Sequence, residues 1–396
     1  MVRRDPATPL VTASPSSPGT LSGTFFGMHI HRAATTTAWP VVPFGTWRLW
    51  DAQVAWFDLE PRRGEWHFET LDKYVALAEE HGVELLLPLG FSPAWASARP
   101  DEASPFYPSG ASAEPQDLED WQHYVATVGA RYKGRIRNYE VWNEPNLRQY
   151  WTGPIRQLLT LTQTAYLTLK DIDPSVTIVG PSVTSSETGL AWLGNYFAKG
   201  GSASLDVIAH HFYVFPGSPE ALVPFIDSVR QIMTKYGVRN KPLWNTEITW
   251  ALPATFPVAA DAAAYLARAY LLNASAGVQR CYWYAWDDRE WSTLWLTEAD
   301  EKKPTLAGLA YGELQQWLVD RQMVSCTVDR ANTYVCQLVR EGNASEWVLW
   351  NPYQTLSYTL PDAWHIVHTR DLTGATTELR GETHVPIGPL PLLLRP

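Results

Sequence analysis

Cysteine is scarce in this chain of 396 residues: Cys281, Cys326 and Cys336 are the only three. Three thiols allow at most one bridge, which excludes a disulfide-stapled scaffold, and their spacing fits no metal site. Long apolar runs are missing as well. No stretch reaches the roughly 18 apolar residues of a membrane span. The opening MVRRDPATPLVTASPSSPGT carries positive charge without the apolar run of a secretory leader. A cytoplasmic location, and a secreted or periplasmic one with the signal absent from this chain, both stay open. Positive charge is in deficit: 31 Lys and Arg stand against 41 Asp and Glu, a net charge of -10. Nucleic acid and anionic membrane surfaces select basic faces, so neither is an expected partner, and a neutral one fits better. Charged residues make up only 18% against 45% hydrophobic, which excludes a disordered chain.

Aromatic side chains are abundant. The 20 Trp and 18 Tyr exceed what a core needs, and surplus rings form flat platforms on which sugar rings stack, although most Trp residues fill space. From residue 21 onward, short apolar runs rich in β-branched and aromatic residues alternate with segments of helical period, the pattern of repeated βα units. Strands are expected at 23–30, 45–50, 83–89, 135–142, 176–181, 205–212, 241–246 and 279–286. Helices are expected at 69–81, 116–132, 154–171, 187–199, 219–236, 257–275 and 305–318, with Pro154 and Pro257 near first turns. Eight strands with helices between them close into a (β/α)8 TIM barrel. No GxGxxG follows the first strand, so a dinucleotide-binding sheet lacks its phosphate cradle.

After residue 320 the rhythm becomes all-β, with strands expected at 333–340, 346–352, 356–360, 364–372, 383–388 and 391–396. A small antiparallel β-sandwich is the expected result. The organisation is therefore an extended N-terminal arm at 1–20, a barrel at 21–319 and an accessory sandwich at 320–396, to which the arm adds a strand. Bracing the barrel is the expected role of the sandwich, since nothing in it clusters as a site.

In such a barrel the functional side chains project from the C-terminal ends of the strands. Trp142-Asn143-Glu144-Pro145 ends the fourth strand and Trp244-Asn245-Thr246-Glu247 the seventh. Two carboxylates so placed face each other across the mouth. Acetal hydrolysis with retained configuration needs such a pair about 5 to 5.5 Å apart, one protonating the leaving oxygen and one attacking the anomeric carbon. The acid must keep its proton near neutral pH, through a half-buried aromatic setting and the second carboxylate. The nucleophile must stay ionised, for which Arg48 after strand two and Tyr213 after strand six are suitable.

Asn143-Glu144-Pro145 and Glu247 resemble the strand-four and strand-seven motifs of clan A of the glycoside hydrolases. The resemblance extends to Arg48 in Trp47-Arg48-Leu49-Trp50-Asp51, which it makes the support of the nucleophile, and to Asn143 as the contact of the sugar 2-hydroxyl. It also extends to His211 and Tyr213 in Ala209-His210-His211-Phe212-Tyr213, and to Trp286, placed under the bound sugar. Within the clan, Phe26-Gly27-Met28-His29-Ile30-His31, Ser92-Pro93-Ala94-Trp95-Ala96 and the C-terminal sandwich are most similar to family 39. That family includes β-xylosidases, α-L-iduronidases and enzymes acting on bacterial exopolysaccharides. His29 and His31 do not settle on one subgroup's pattern, so the substrate is not carried over.

His210 and His211 are adjacent and face opposite sides of a strand; the clan pattern selects His211 for the pocket. His29 and His31 share a face and reach the mouth, where sugar hydroxyls suit them better than a metal, for which no third ligand is in sight. Trp95, Trp250 and Trp286, with Trp291 and Trp295, fall in loops that form the rim, and Asp287 is a weaker candidate for a hydroxyl contact. The expected reaction is double displacement on an oligo- or polysaccharide, with Glu247 as nucleophile, Glu144 as acid and base, no metal and no cofactor. Transglycosylation would use the same intermediate. A catalytically silent carbohydrate-binding barrel is the reading from another class, and the presence of both glutamates argues against it.

Overall fold

The computed structural model describes residues 8–9, 19–299, 302–340, 342 and 344–396. Most of the expected arm at 1–20 lies outside the described residues. Eight parallel strands close into a barrel in chain order: β1 (Phe26–Met28), β2 (Thr46–Arg48), β3 (Glu84–Leu89), β4 (Asn138–Val141), β5 (Thr177–Thr184), β6 (Val207–His211), β7 (Leu243–Ile248) and β8 (Arg280–Trp283). The expected first strand at 23–30 shrinks to three residues. Gly23–Phe25 instead form a 3-10 turn, in which the Phe25 N–H donates to the Ser22 carbonyl.

Strands covered on both faces read as nearly continuous apolar runs. In β3 the alternation is visible all the same. Leu85, Leu87 and Leu89 enter the core shared with the helices, whereas Leu86 joins Val179, Val207, Ala209, Trp244 and Tyr282 inside the barrel. The helix Glu69–His81 buries Leu71, Tyr74, Val75 and Ala78, a spacing of one helical face. It ends at Gly82, whose φ of 65° lets its N–H reach back to the last turn before the chain enters β3. At the N-terminal end of the barrel, Glu84 and Arg280 pair at 2.7 Å, and the Arg280 guanidinium lies 4.2 Å over the Trp244 ring. That plug leaves the opposite end as the open mouth.

The helix Leu306–Leu318 leads into an antiparallel sandwich. Its strands are β9 (Gln322–Val328), β10 (Tyr334–Val339), β11 (Glu346–Trp350), β12 (Leu356–Thr359), β13 (His368–Arg370), β14 (Thr376–Glu378), β15 (His384–Ile387) and β16 (Leu392–Arg395). One sheet runs β9-β10-β11-β16-β13-β14, extended past β9 by Thr8–Pro9, and the second is β12-β15. Trp347, Leu349, Val385, Ile387 and Leu394 fill the space between them. Two of these strands were not expected. A bulge between Met323 and Ser325 breaks the alternation of β9 and leaves Val324 exposed, and β14 is exposed throughout and shows no apolar face. Cys326 and Cys336 stand opposite each other in β9 and β10 and form the one disulfide, while Cys281 is free and buried. Among the described residues no helix is long and apolar enough to cross a membrane.

Gly27 shows how tightly the interior is filled. A methyl group there would lie 2.5 Å from Tyr282 Cδ1 and 2.9 Å from Thr46 Oγ1. Gly27→Ala is expected to cost about 1–3 kcal/mol by overpacking. In urea denaturation the midpoint should fall with little change in slope; an unchanged midpoint would show that the interior has slack.

Candidate active site

Local backbone geometry aims the two glutamates. Asn138 and Glu140 of β4 point into the barrel, while Tyr139 and Val141 join the outer core. Beyond the strand, Trp142 and Glu144 adopt φ values of 67° and 43°, rarely populated by non-glycine residues and common at functional sites. The turn is held by the Glu144 N–H donating to the Ser182 carbonyl and the Trp142 indole donating to the Tyr150 carbonyl at 2.7 Å. In β7 the strand itself changes parity. Trp244 faces the barrel interior, so plain alternation would send Glu247, three residues on, outward. Asn245 pairs with His210 but Glu247 pairs with His211, so Thr246 is an extra residue, a bulge that turns Glu247 inward.

Arg48 joins the two halves. Its side chain is fully buried and donates to Glu140 Oε2 at 2.6 Å, to Glu247 Oε2 at 2.8 Å and to Asn143 Oδ1 at 2.6 Å. Glu140 Oε1 in turn accepts from Ser182 Oγ at 2.5 Å. The other oxygen of Glu247 accepts a hydrogen bond from the Tyr213 hydroxyl. On the far side, His211 Nδ1 lies 2.7 Å from Glu144 Oε1 and 3.8 Å from Glu247 Oε2. Glu144, His211 and Glu247 each contribute an atom to a cluster whose members lie within 4.8 Å of one another.

Burial and mutual charge set the protonation states. Glu144 and Glu247 are each 6% exposed. Burial, and then the Glu247 charge, hold the Glu144 carboxyl well above the usual carboxylate range. Burial raises Glu247 too, to about 7, with Arg48 and the Tyr213 hydrogen bond opposing it. Glu247 is therefore the one that ionises first. Burial, followed by the Arg48 charge, pushes His211 well below its ordinary value, so its ring is neutral, and a single proton lies in the His211–Glu144 hydrogen bond. His29 is neutral for the same two reasons. Its Nε2 lies 3.1 Å from the Thr246 carbonyl, which fixes the proton on Nε2 and leaves Nδ1 as an unpartnered acceptor.

The structure thus gathers Glu144, Glu247, Arg48, Asn143, His211, Tyr213 and His29 at one end of the barrel. His31 lies beside them, its ring 5.0 Å from Tyr284. Four other expected contacts are committed elsewhere. Asp287 accepts from the His31 and Arg32 backbone N–H groups at 2.8 and 2.9 Å and from the Thr37 hydroxyl at 2.6 Å, so it ties down the loop after β1. Trp250 is buried, donates to the Gly217 carbonyl and stacks on Trp283. Trp95 donates to the Glu60 carbonyl at 2.8 Å and packs edge-on against Trp56, with Arg63 over its ring. Trp286 is 1% exposed and belongs to the core. The ring that meets the site is Tyr284, 5.1 Å from His29 and 5.4 Å from Trp291, with its hydroxyl 2.8 Å from Asp51 Oδ2.

Asp51, Glu140 and Tyr284 are the members of the site that motif reading missed. Glu140 was detectable as an acidic residue inside a barrel strand. Asp51 is the last residue of the quoted Arg48 segment, at a φ of 55°. Its other oxygen accepts from Tyr107 at 3.1 Å, and its charge acts on both catalytic candidates. Beside it a cavity of about 190 Å³ is lined by Trp50, Phe57, Phe91 and Tyr107 among others.

The same cluster of Glu144, His211 and Glu247 is the arrangement among the described residues that could surround a metal ion. Arg48 already supplies the positive charge at Glu247, and a cation there would face it at close range.

An eight-stranded βα barrel with facing glutamates after β4 and β7 fits the clan A architecture that the strand-end motifs resemble. The chain belongs to glycosyl hydrolases family 39: the profile of that family matches residues 49–286, from the end of β2 to just past β8. A beta-xylosidase of Caldicellulosiruptor saccharolyticus is 28% identical over 155 residues, covering 37% of this chain and 31% of that protein. A beta-xylosidase of Geobacillus stearothermophilus is 25% identical over 226 residues, covering 50% of this chain and 43% of that protein. The matches thus span less than half the length of these curated relatives. A family 39 glycoside hydrolase from the gut symbiont Bacteroides cellulosilyticus WH2 shares the fold, with a TM-score of 0.73 at 20% identity over 96% of this chain and 82% of that one.

The buried carboxyls make stability depend on pH. A carboxyl whose pKa is raised on folding binds its proton more tightly in the folded state, so stability is greatest below the unfolded value and is lost as pH rises through the folded one. Glu144→Gln removes one such group while keeping its shape. Its melting temperature should exceed that of wild type at pH 8 by roughly 2–5 °C, with the gap closing near pH 4.5. Parallel melting curves from pH 4.5 to 8 would contradict the burial assigned to Glu144.

Proposed function

We propose that the chain is a retaining glycoside hydrolase in which Glu247 attacks the anomeric carbon and Glu144 serves as acid, then base. The observation that carries this reading is the approach of Glu144 and Glu247 oxygens within 4.8 Å. Retaining pairs stand about 5–5.5 Å apart, whereas inverting pairs leave roughly 6.5–9.5 Å for a water molecule between base and sugar. The order of ionisation supports the same roles: Glu144 holds the proton that the leaving oxygen needs, and Glu247 is held by two donors that favour its anion.

In the first step Glu247 forms a bond to the anomeric carbon as Glu144 passes its proton to the departing oxygen. In the second, Glu144 takes a proton from water, and the resulting attack frees the sugar. Arg48 and Tyr213 each hold one oxygen of Glu247 and so set the angle of attack. His211 shares the Glu144 proton and, through a neutral ring, adds no charge that would stabilise the carboxylate prematurely. Asn143, oriented by Arg48, is the donor offered to the sugar 2-hydroxyl.

The substrate we infer is a neutral glycoside of an oligo- or polysaccharide, with β-xylosides as the first candidates. Two curated relatives carry the name beta-xylosidase. In addition, Asp51 adds a third carboxylate to the mouth beside the catalytic pair, and like charges at this range disfavour a uronate.

Hydrolysis of a panel of aryl β- and α-glycosides tests the roles. Glu247→Ala should lose about 10⁴-fold or more in kcat, and azide should restore turnover as a glycosyl azide of inverted configuration. Near wild-type turnover by Glu247→Ala on a substrate that the protein cleaves would overturn the assignment. The kcat/KM profile should be bell-shaped, its acidic limb set by Glu247 and its alkaline limb by Glu144. Tyr213→Phe, which removes a hydrogen bond that lowers the Glu247 pKa, should move the acidic limb upward. A downward or absent shift would separate Tyr213 from the nucleophile.

A further inference from the structure

We propose that the junction of barrel and sandwich holds a second site, remote from the glutamates, for a ligand bearing an oxyanion: phosphate, sulfate or a sugar carboxylate. A cavity of about 510 Å³ opens there, lined by Arg321, Arg340, Arg370 and Arg395 with Gln315 and Gln316. Asp320 is the one acidic residue of the lining. Four guanidinium groups around one cavity are unexpected in a chain whose net charge is -10.

An ion-pair brace between two layers is the ordinary account of such a cluster, and it explains part of this one. Arg321 is fully engaged, with Glu346 at 2.5 Å and the Gln316 and Val319 carbonyls at 3.0 and 3.2 Å. Arg370 gives Nε and one terminal nitrogen to Glu313, which holds the guanidinium plane in place. The brace does not account for the remaining donors. The other terminal nitrogen of Arg370 makes no hydrogen bond among the described residues. Arg340 meets Asp320 only at 3.8 Å. Arg395 has Nε 3.0 Å from a Glu346 oxygen, yet that nitrogen is buried without a well-aligned hydrogen bond. Glu313, Asp320 and Glu346 sit against the four guanidinium groups, and Asp371 acts on Arg370 as well, so what the brace leaves over is N–H donors rather than net charge.

Planar guanidinium forks fixed from behind by carboxylates, with N–H groups left toward a cavity, suit an oxyanion, which accepts several charge-assisted hydrogen bonds at once. The lining residues come from both layers. Gln315 and Gln316 lie in the last barrel helix, Arg370 and Arg395 on β13 and β16, and Arg340 directly after β10. Gln315 also donates to the Pro43 carbonyl, three residues before β2 begins, which sets the cavity at the end of the barrel opposite the mouth. A bound oxyanion would therefore tie sandwich to barrel and stabilise the fold in proportion to its occupancy.

Titration calorimetry and thermal denaturation of the full chain with sodium phosphate, sulfate and D-glucuronate, each against chloride at matched ionic strength, test the site. A saturable heat and a rising melting temperature for at least one of them are expected. Response to phosphate or sulfate alone assigns an inorganic or ester oxyanion, and response to glucuronate an acidic sugar. Arg395→Gln should weaken binding about 10-fold or more. Arg340→Gln, whose side chain is 54% exposed, should weaken it about 3-fold. Hydrolysis at the mouth should be unchanged in both, which also confirms that they are folded. No saturable response by about 50 mM of any of the three, a response matched by chloride, or affinity unchanged in both variants would overturn the proposal.

Discussion

The site depends on one buried guanidinium. Arg48 sits inside the barrel with no exposure and meets Glu140, Asn143 and Glu247 at once. Taking a charge from water into such a place is costly unless every donor finds a partner, and removing one partner strands the others. Glu140 and Glu247 supply the opposite charge that compensates its burial. This mutual requirement makes the arrangement rigid: Arg48 orients Asn143 and holds one oxygen of Glu247, while Glu140 and Ser182 hold Arg48 from below.

Backbone strain surrounds this network. Trp142, Glu144, Asp51 and Ser182 all take positive φ without being glycine, and bulges interrupt β5 and β7 next to it. Each departure re-aims a side chain that regular geometry would send elsewhere. The bulge at Thr246 decides whether Glu247 meets Arg48 or the outer helices, and a left-handed φ turns Glu144 toward the mouth. The rest of the barrel supplies the packing against which such strain is held. The same burial that destabilises the two carboxyls gives them the proton affinities that the proposed acid and nucleophile require, so some stability is given up at the proposed site.

Much of this was legible in the residues. The βα rhythm, the strand ends carrying Glu144 and Glu247, and the opposite facing of His210 and His211 follow from period and sequence order, which are local, while the choice of His211 for the pocket came from the resemblance to clan A. The all-β character of the last part was readable for the same reason, although the bulged β9 and the wholly exposed β14 lacked the alternation that reveals a strand. Aromatic residues near the mouth were readable as a group but not one by one. Trp95, Trp250 and Trp286 went to packing, and Tyr284 took the position facing the carboxylates.

Sequence alone determined the class of fold, the eight barrel strands and the strand ends that carry Glu144 and Glu247, because those rest on repeating hydrophobic patterns and on short motifs at fixed places in them. Tertiary structure decided which side chains meet. Asp287 was one such case, its carboxylate taken up by backbone N–H groups some 256 residues earlier in the chain. Asp51 was the converse case, brought between Tyr107 and Tyr284 by loops from three different strands. Contacts of this kind depend on loop paths, bulges and the fate of individual hydrogen bonds, none of which has a period to read. The distance between Glu144 and Glu247, on which the proposed chemistry turns, is set by the closure of the barrel.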